Sequence, residues 1–192
     1  MRSTLRAIAL VTTLLLPIGI AQAAGDRETL GLFRKAAESS AYFQSAYGYA
    51  VFPTIGKGGL GIGAAHGSGH VYEHGRPIGR VTMNQLSVGI QAGGEAYSEV
   101  IFFENKHALD DFTSGNFEFS GDVGAIVITA SASASAGTTG ANSAASAEKH
   151  EAKTQGGYHE GMAVFTIAKG GLMYNATVAG QKFSFKRGEH AH

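Results

Sequence analysis

The sequence predicts a mainly β domain of the α+β kind: a curved or closed antiparallel sheet with short N-terminal helices and an internal hairpin pseudo-repeat. Three observations carry that expectation. Glycine supplies 28 of the 192 residues and proline only 3, with none of collagen's every-third-residue order. From Gly48 onward, short apolar runs alternate with glycines, the texture of strands and tight turns. Finally, the segment from Ala50 to Leu60 returns as Ala163 to Leu172. With Pro53 omitted, the two copies differ only at Gly56 versus Ala168.

Taken in order, residues 1–23 read as a secretory signal. Arg2 and Arg6 precede the uncharged apolar run Ala7 to Ile20, and Ala21-Gln22-Ala23 places small residues where a signal peptidase reads. Pro17 interrupts that run, which is short for a membrane span. One domain is expected over residues 24–192. Losing Arg2 and Arg6 leaves 13 basic residues against 15 acidic, a formal charge of −2.

Asp26 to Ala46 has helical periodicity, with Leu30, Phe33 and Ala37 on one face and Asp26 as the expected N-cap. Ser39-Ser40 breaks the segment and caps a second short helix. Six strands are then expected: Tyr49–Phe52, Gly59–Ala65, Gly69–Glu73, Ile78–Met83, Leu86–Gly94 and Glu99–Phe103. Gly67-Ser68-Gly69 and His74-Gly75 supply turns. Asn105 caps a short helix closed by Gly115. The alternating Ala/Ser stretch around residues 129–150 reads as a long hairpin turning at Gly137–Gly140, because period two separates alanines from serines. Each copy of the repeat reads as a strand, a Lys-Gly-Gly turn and a departing strand, so two equivalent hairpins would bracket the sheet.

Composition and motifs narrow the chemistry. There is no cysteine, which excludes disulfides, thiolate metal sites and a Cys–His nucleophile. The balanced charge argues against a nucleic-acid binder. Gly56 to Gly61 fits G-x-G-x-x-G, but a strand rather than a helix follows, so no dinucleotide site is expected. His66, His70 and His74 are spaced four apart. Their flanking glycines disfavour a helix, so they read mainly as exposed turn and strand-edge residues, with a small metal or ligand pocket as the other reading. Asp110-Asp111 and Glu95/Glu99 pair carboxylates; adjacent positions on a short surface helix do not face each other, and a solvated face is the expected account. No catalytic residue, resident metal or cofactor is expected. Lys57 and Lys169, displayed with Gly58, Gly59, Gly170 and Gly171, are the candidate contacts for an anionic group.

These residues resemble a known family. Tyr49-Ala50-Val51-Phe52-Pro53-Thr54-Ile55-Gly56-Lys57-Gly58-Gly59-Leu60 is similar to the opening of the lipid-binding SYLF domain. Ser87 to Gly94 resembles its Gly-x-Gln-x-Gly segment, Phe117 to Asp122 the stretch leading to its mid-domain Asp, and Ala168 to Gly180 its closing Lys-Gly-Leu and Gly. The resemblance spans about Leu30 to Phe185. It implies a non-catalytic module of antiparallel strands with a few helices. Eukaryotic relatives bind phosphoinositides and, in fungi, actin filaments, while bacterial relatives are exported envelope proteins. The expectation for this chain is a non-enzymatic, exported, periplasmic protein, peripheral to a membrane, that binds phospholipid or a lipidic anionic ligand. The alternative is a cell-envelope assembly protein without a small ligand, whose partner is another envelope protein or a second copy, with the Ser/Ala hairpin as its adhesive edge.

Overall fold

The computed structural model describes residues 18–120, 126–128 and 157–188. The N-terminal helices are α1 (Ile18–Lys35), α2 (Ala37–Ser40) and α3 (Tyr42–Ser45). The sheet follows: β1 (Gly48–Glu73), β2 (Arg76–Phe103), then α4 (Lys106–Phe112), β3 (Asn116–Ser120), β4 (Ile126–Ile128) and β5 (Met162–Arg187). Strand order is β1-β2-β5-β3, with β4 pairing β5 in parallel and the other pairs antiparallel. The mainly β expectation holds, and the sheet is curved rather than closed, with no ladder joining its ends among the described residues.

The six expected strands are two. Tyr49 to Glu73 runs unbroken as β1, and Ile78 to Phe103 as β2, joined only by the turn at His74-Gly75. Extended, a 26-residue strand would reach about 85 Å. Instead β1 doubles back on itself. A Cβ at Gly48 would lie 2.6 Å from the Tyr72 carbonyl oxygen, and one at Gly69 would collide with the Val51 carbonyl. The fold comes at Gly61, which adopts φ +73° and sits outside the ladder where the register slips between Leu60 and Ile62. Gly67-Ser68-Gly69 is therefore not a turn; Gly69 is the point where one half of the strand lies against the other.

This crease makes a single sheet into its own sandwich. Ala50, Phe52, Ile55, Ile101, Phe103 and Val164 from one half face Ala65, Val71, Ile78, Val81, Met83 and Phe183 from the other. Leu109 and Phe112 of α4 plug the end of this core. A second cluster forms on the outer face of the first half, where Leu30 and Phe33 of α1 cover Val51, Val100, Phe102 and Phe165. Asn105 caps α4 as expected, its side chain accepting from the Ala108 N–H at 3.0 Å, and Gly115 follows at φ +125°.

The repeat has a different role from the two hairpins expected. Its copies lie on either side of β2, one residue out of step. Ala50 and Val164 both stand opposite Ile101, whereas Ala50 matches Ala163 in sequence. A one-residue offset exchanges the faces of a strand. Ala50 and Phe52 therefore point into the sandwich, while Ala163 and Phe165 point out under the helices. The Ser/Ala segment 129–150 lies outside the described residues, as do residues 1–17.

Candidate functional site

Neither Lys-Gly-Gly segment is a turn. Lys57, Gly58 and Gly59 pair with Glu95, Gly94 and Gly93 inside the β1–β2 ladder, and Lys169, Gly170 and Gly171 lie within β5. A strand rather than a hairpin results because β2 offers matching glycines opposite. The Lys57 side chain is only 9 % exposed, with Nζ 3.6 Å from Glu95. Lys169 falls at the bulge between the Tyr97 and Ala96 pairs. Its Nζ donates to the Pro53 carbonyl at 3.1 Å and to Thr54 Oγ1 at 3.0 Å. The two lysines thus make separate contacts, Lys57 with Glu95 and Lys169 with Pro53-Thr54.

The histidines divide as well. His66 contacts Asn84 Oδ1 through Nδ1 at 2.8 Å, and His74 sits in the β1–β2 turn with its ring 4.3 Å from that of Tyr47. His70 is not an exposed edge residue. Its Nδ1 lies 2.7 Å from Asp26 Oδ2, which also accepts from the Tyr72 hydroxyl at 2.8 Å. Asp26 is inside α1 rather than at its cap, and is 2 % exposed. Burial first, then the hydrogen bond to Asp26, pushes the Tyr72 phenol above its ordinary range. No group of three or more His, Asp or Glu side chains suited to a metal ion occurs among the described residues.

Glu99 departs furthest from a solvated carboxylate. It shares inward parity with Ile101 and Phe103, is 1 % exposed, and its Oε1 has no hydrogen-bond partner among the described residues. Burial pushes its pKa up to about 8.

The surface feature that periodicity did not reveal lies at the crease. Along β2 the inward residues change from Val81 and Met83 to Gln85 and Ser87, all buried. The outward residues change from Arg80, Thr82 and Asn84 to Leu86, Val88 and Ile90, which are 71 %, 66 % and 70 % exposed. Leu60 and Ile62 of β1 are exposed beside them, Ile62 directly opposite Val88. Inside, Gln181 Nε2 donates to Gln85 Oε1 at 3.1 Å. The alternation Leu86-Ser87-Val88-Gly89-Ile90 is visible in the sequence and identifies a strand. It gave no sign that the apolar set faces outward, because alternation names two faces without assigning either.

The sequence model of a family described as "Las17-binding protein actin regulator" (Ysc84) matches residues 84–192. Beta cell expansion factor A of Aeromonas veronii is 29 % identical over 161 residues, covering 82 % of this chain and 53 % of that protein. The chain therefore spans about half the length of that relative. No solved structure matches.

Proposed function

The chain belongs to the Ysc84 (SYLF) family, and on that premise we propose that it is an exported envelope protein that binds phospholipid surfaces without chemistry of its own, seating the creased end of its sheet in the hydrocarbon boundary. One observation carries this reading: the inverted polarity of β2, with Gln85 and Ser87 inside and Leu86, Val88 and Ile90 outside. In water such an arrangement leaves apolar side chains hydrated, and that cost is removed when the outer face meets lipid. Alternation with apolar residues outward is the pattern of strands in contact with lipid. No helix among the described residues is long and apolar enough to cross a membrane.

This reading shifts the expected contact away from Lys57, which is occupied by Glu95, and onto the apolar stripe. Each Leu, Val or Ile fully buried contributes about 1.5–3 kcal/mol. Replacing Leu86, Val88 and Ile90 together by Ser should therefore weaken co-sedimentation with phosphatidylglycerol/phosphatidylcholine vesicles by about tenfold or more. These positions are exposed, so the urea midpoint should hardly move. A wild-type protein that stays in the supernatant overturns the reading. So does a triple variant that pellets undiminished, or one whose only defect is loss of self-association by sedimentation velocity.

A further inference from the structure

Where α1 crosses the doubled strand β1, a cavity of about 450 Å³ opens among α1, Pro53-Thr54 and the neighbouring ends of β1 and β2. It lies within the size range of small-ligand sites. Its wall is built by register. Ser68 stands opposite Thr82, and His70 opposite Arg80, so two hydroxyls, an imidazole and a guanidinium line one patch of the β1–β2 ladder. Thr54 closes the other side, with Lys169 Nζ held 3.0 Å from its hydroxyl oxygen.

The charges in this wall are unevenly satisfied. Asp26 is its only carboxylate; Oδ2 is shared by His70 and Tyr72, while Oδ1 is buried with no hydrogen-bond partner among the described residues. Arg80 has no ion-pair or hydrogen-bond partner among the described residues, and neither do the side chains of Ser68 and Thr82. Thr54 Oγ1 accepts from Lys169, which leaves its own O–H to donate. His70 has Nδ1 committed to Asp26, which leaves Nε2 for a ligand. The cavity therefore offers a planar guanidinium fork, a second cation at its rim and several O–H donors, against one carboxylate of which only Oδ2 is engaged.

We propose that this cavity binds a phosphate group, with Arg80 as the bidentate anchor and Ser68, Thr82 and Thr54 as hydroxyl donors to the remaining oxygens. An Arg fork matches the geometry of two phosphate oxygens, and hydroxyls at neighbouring ladder positions reach the others. Asp26 serves as a positioning residue: it fixes the His70 ring and ties α1 across the cavity mouth. The phosphate is carried either by a soluble anion or by a lipid headgroup. The second source deepens the membrane reading, because Thr82 lies four residues, roughly 13 Å, from Leu86 on the same outward face of β2. Phosphate recognition itself does not depend on that reading.

Calorimetric titration of the purified protein with inorganic phosphate and with glycerol 3-phosphate, at fixed ionic strength, tests the site. Saturable binding of at least one of them at one equivalent is expected, weakened at least tenfold in Arg80→Gln and less in Arg80→Lys. Thr82→Val should weaken it severalfold. Arg80 is exposed, so these variants should unfold at the wild-type urea midpoint. Competition by phosphatidylglycerol vesicles for the glycerol 3-phosphate site assigns the headgroup as the source, and lack of competition assigns a soluble phosphate; both support the site. No saturable uptake of either probe, or Arg80→Gln binding like wild type, overturns it. Vesicle pelleting that persists in Arg80→Gln while phosphate binding is lost separates this site from the apolar stripe.

Discussion

A carboxyl group buried in a protein interior is expensive to ionise, and Glu99, with Oε1 unpartnered among the described residues, is such a group. Its pKa is pushed up to about 8, above the ordinary value of 4.5 for the unfolded chain. Between those values the folded protein holds a proton that the unfolded chain has released. The unfolded state binds fewer protons there, so stability falls as pH rises from about 5 to 8 and levels off beyond. Glu99→Gln should flatten that dependence and make the protein more stable than wild type at pH 8.5, by at most about 5 kcal/mol. Urea unfolding at pH 5 and pH 8.5 reads both effects; a wild-type slope unchanged in the variant would place the titration elsewhere. At this scale the sequence was least informative. Asp26 looked like a cap because it is a polar residue at the start of a periodic run, and nothing local announces that His70 and Tyr72 will reach it from 44 and 46 residues away. Glu99 carries its signal in parity alone, since it alternates with Ile101 and Phe103.

Elements were legible in kind and not in length. Asn105 and Gly115 marked α4 correctly because capping is a local matter of one side chain and one backbone conformation. Asn105→Ala should lower stability by about 1 kcal/mol in urea unfolding, since the Ala108 N–H would lose its acceptor. Glycine misled in the strands because it permits two things: a turn, where φ is positive, and close approach, where a Cβ has no room. At Gly61 and Gly75 the first applies, at Gly69 the second. Gly69→Ala should therefore destabilise the protein by about 2 kcal/mol or more, as its methyl group meets the Val51 carbonyl and forces the two halves of β1 apart. An unchanged urea midpoint would mean that the halves are not pressed together there. The repeat teaches the same lesson about non-local cause. Identical residues at 50–52 and 163–165 take opposite faces because their register with β2 differs by one, and register is a property of the pair.

Taken whole, the molecule is a sheet of long strands folded across its own width, apolar within near α4 and apolar without near the crease. The family could be read from its motifs, whereas the proposed place of lipid contact could not. Lysine-glycine turns suggested displayed ammonium groups, but the strands run on through them and the exposed surface is aliphatic. The creased end, where Leu60, Ile62, Leu86, Val88 and Ile90 are exposed, is the part of the protein that we propose meets lipid. Because the sequence lacks cysteine, Val88→Cys gives a unique attachment point for an environment-sensitive fluorophore, and Ser114→Cys, exposed beside α4 at the other end, gives its control. On addition of phosphatidylglycerol/phosphatidylcholine vesicles, the probe at position 88 should shift to the blue and be quenched by lipid-borne nitroxide, while the probe at position 114 stays in water. A probe at position 88 that remains in water while the protein pellets, or equal shifts at both positions, would contradict insertion through the crease.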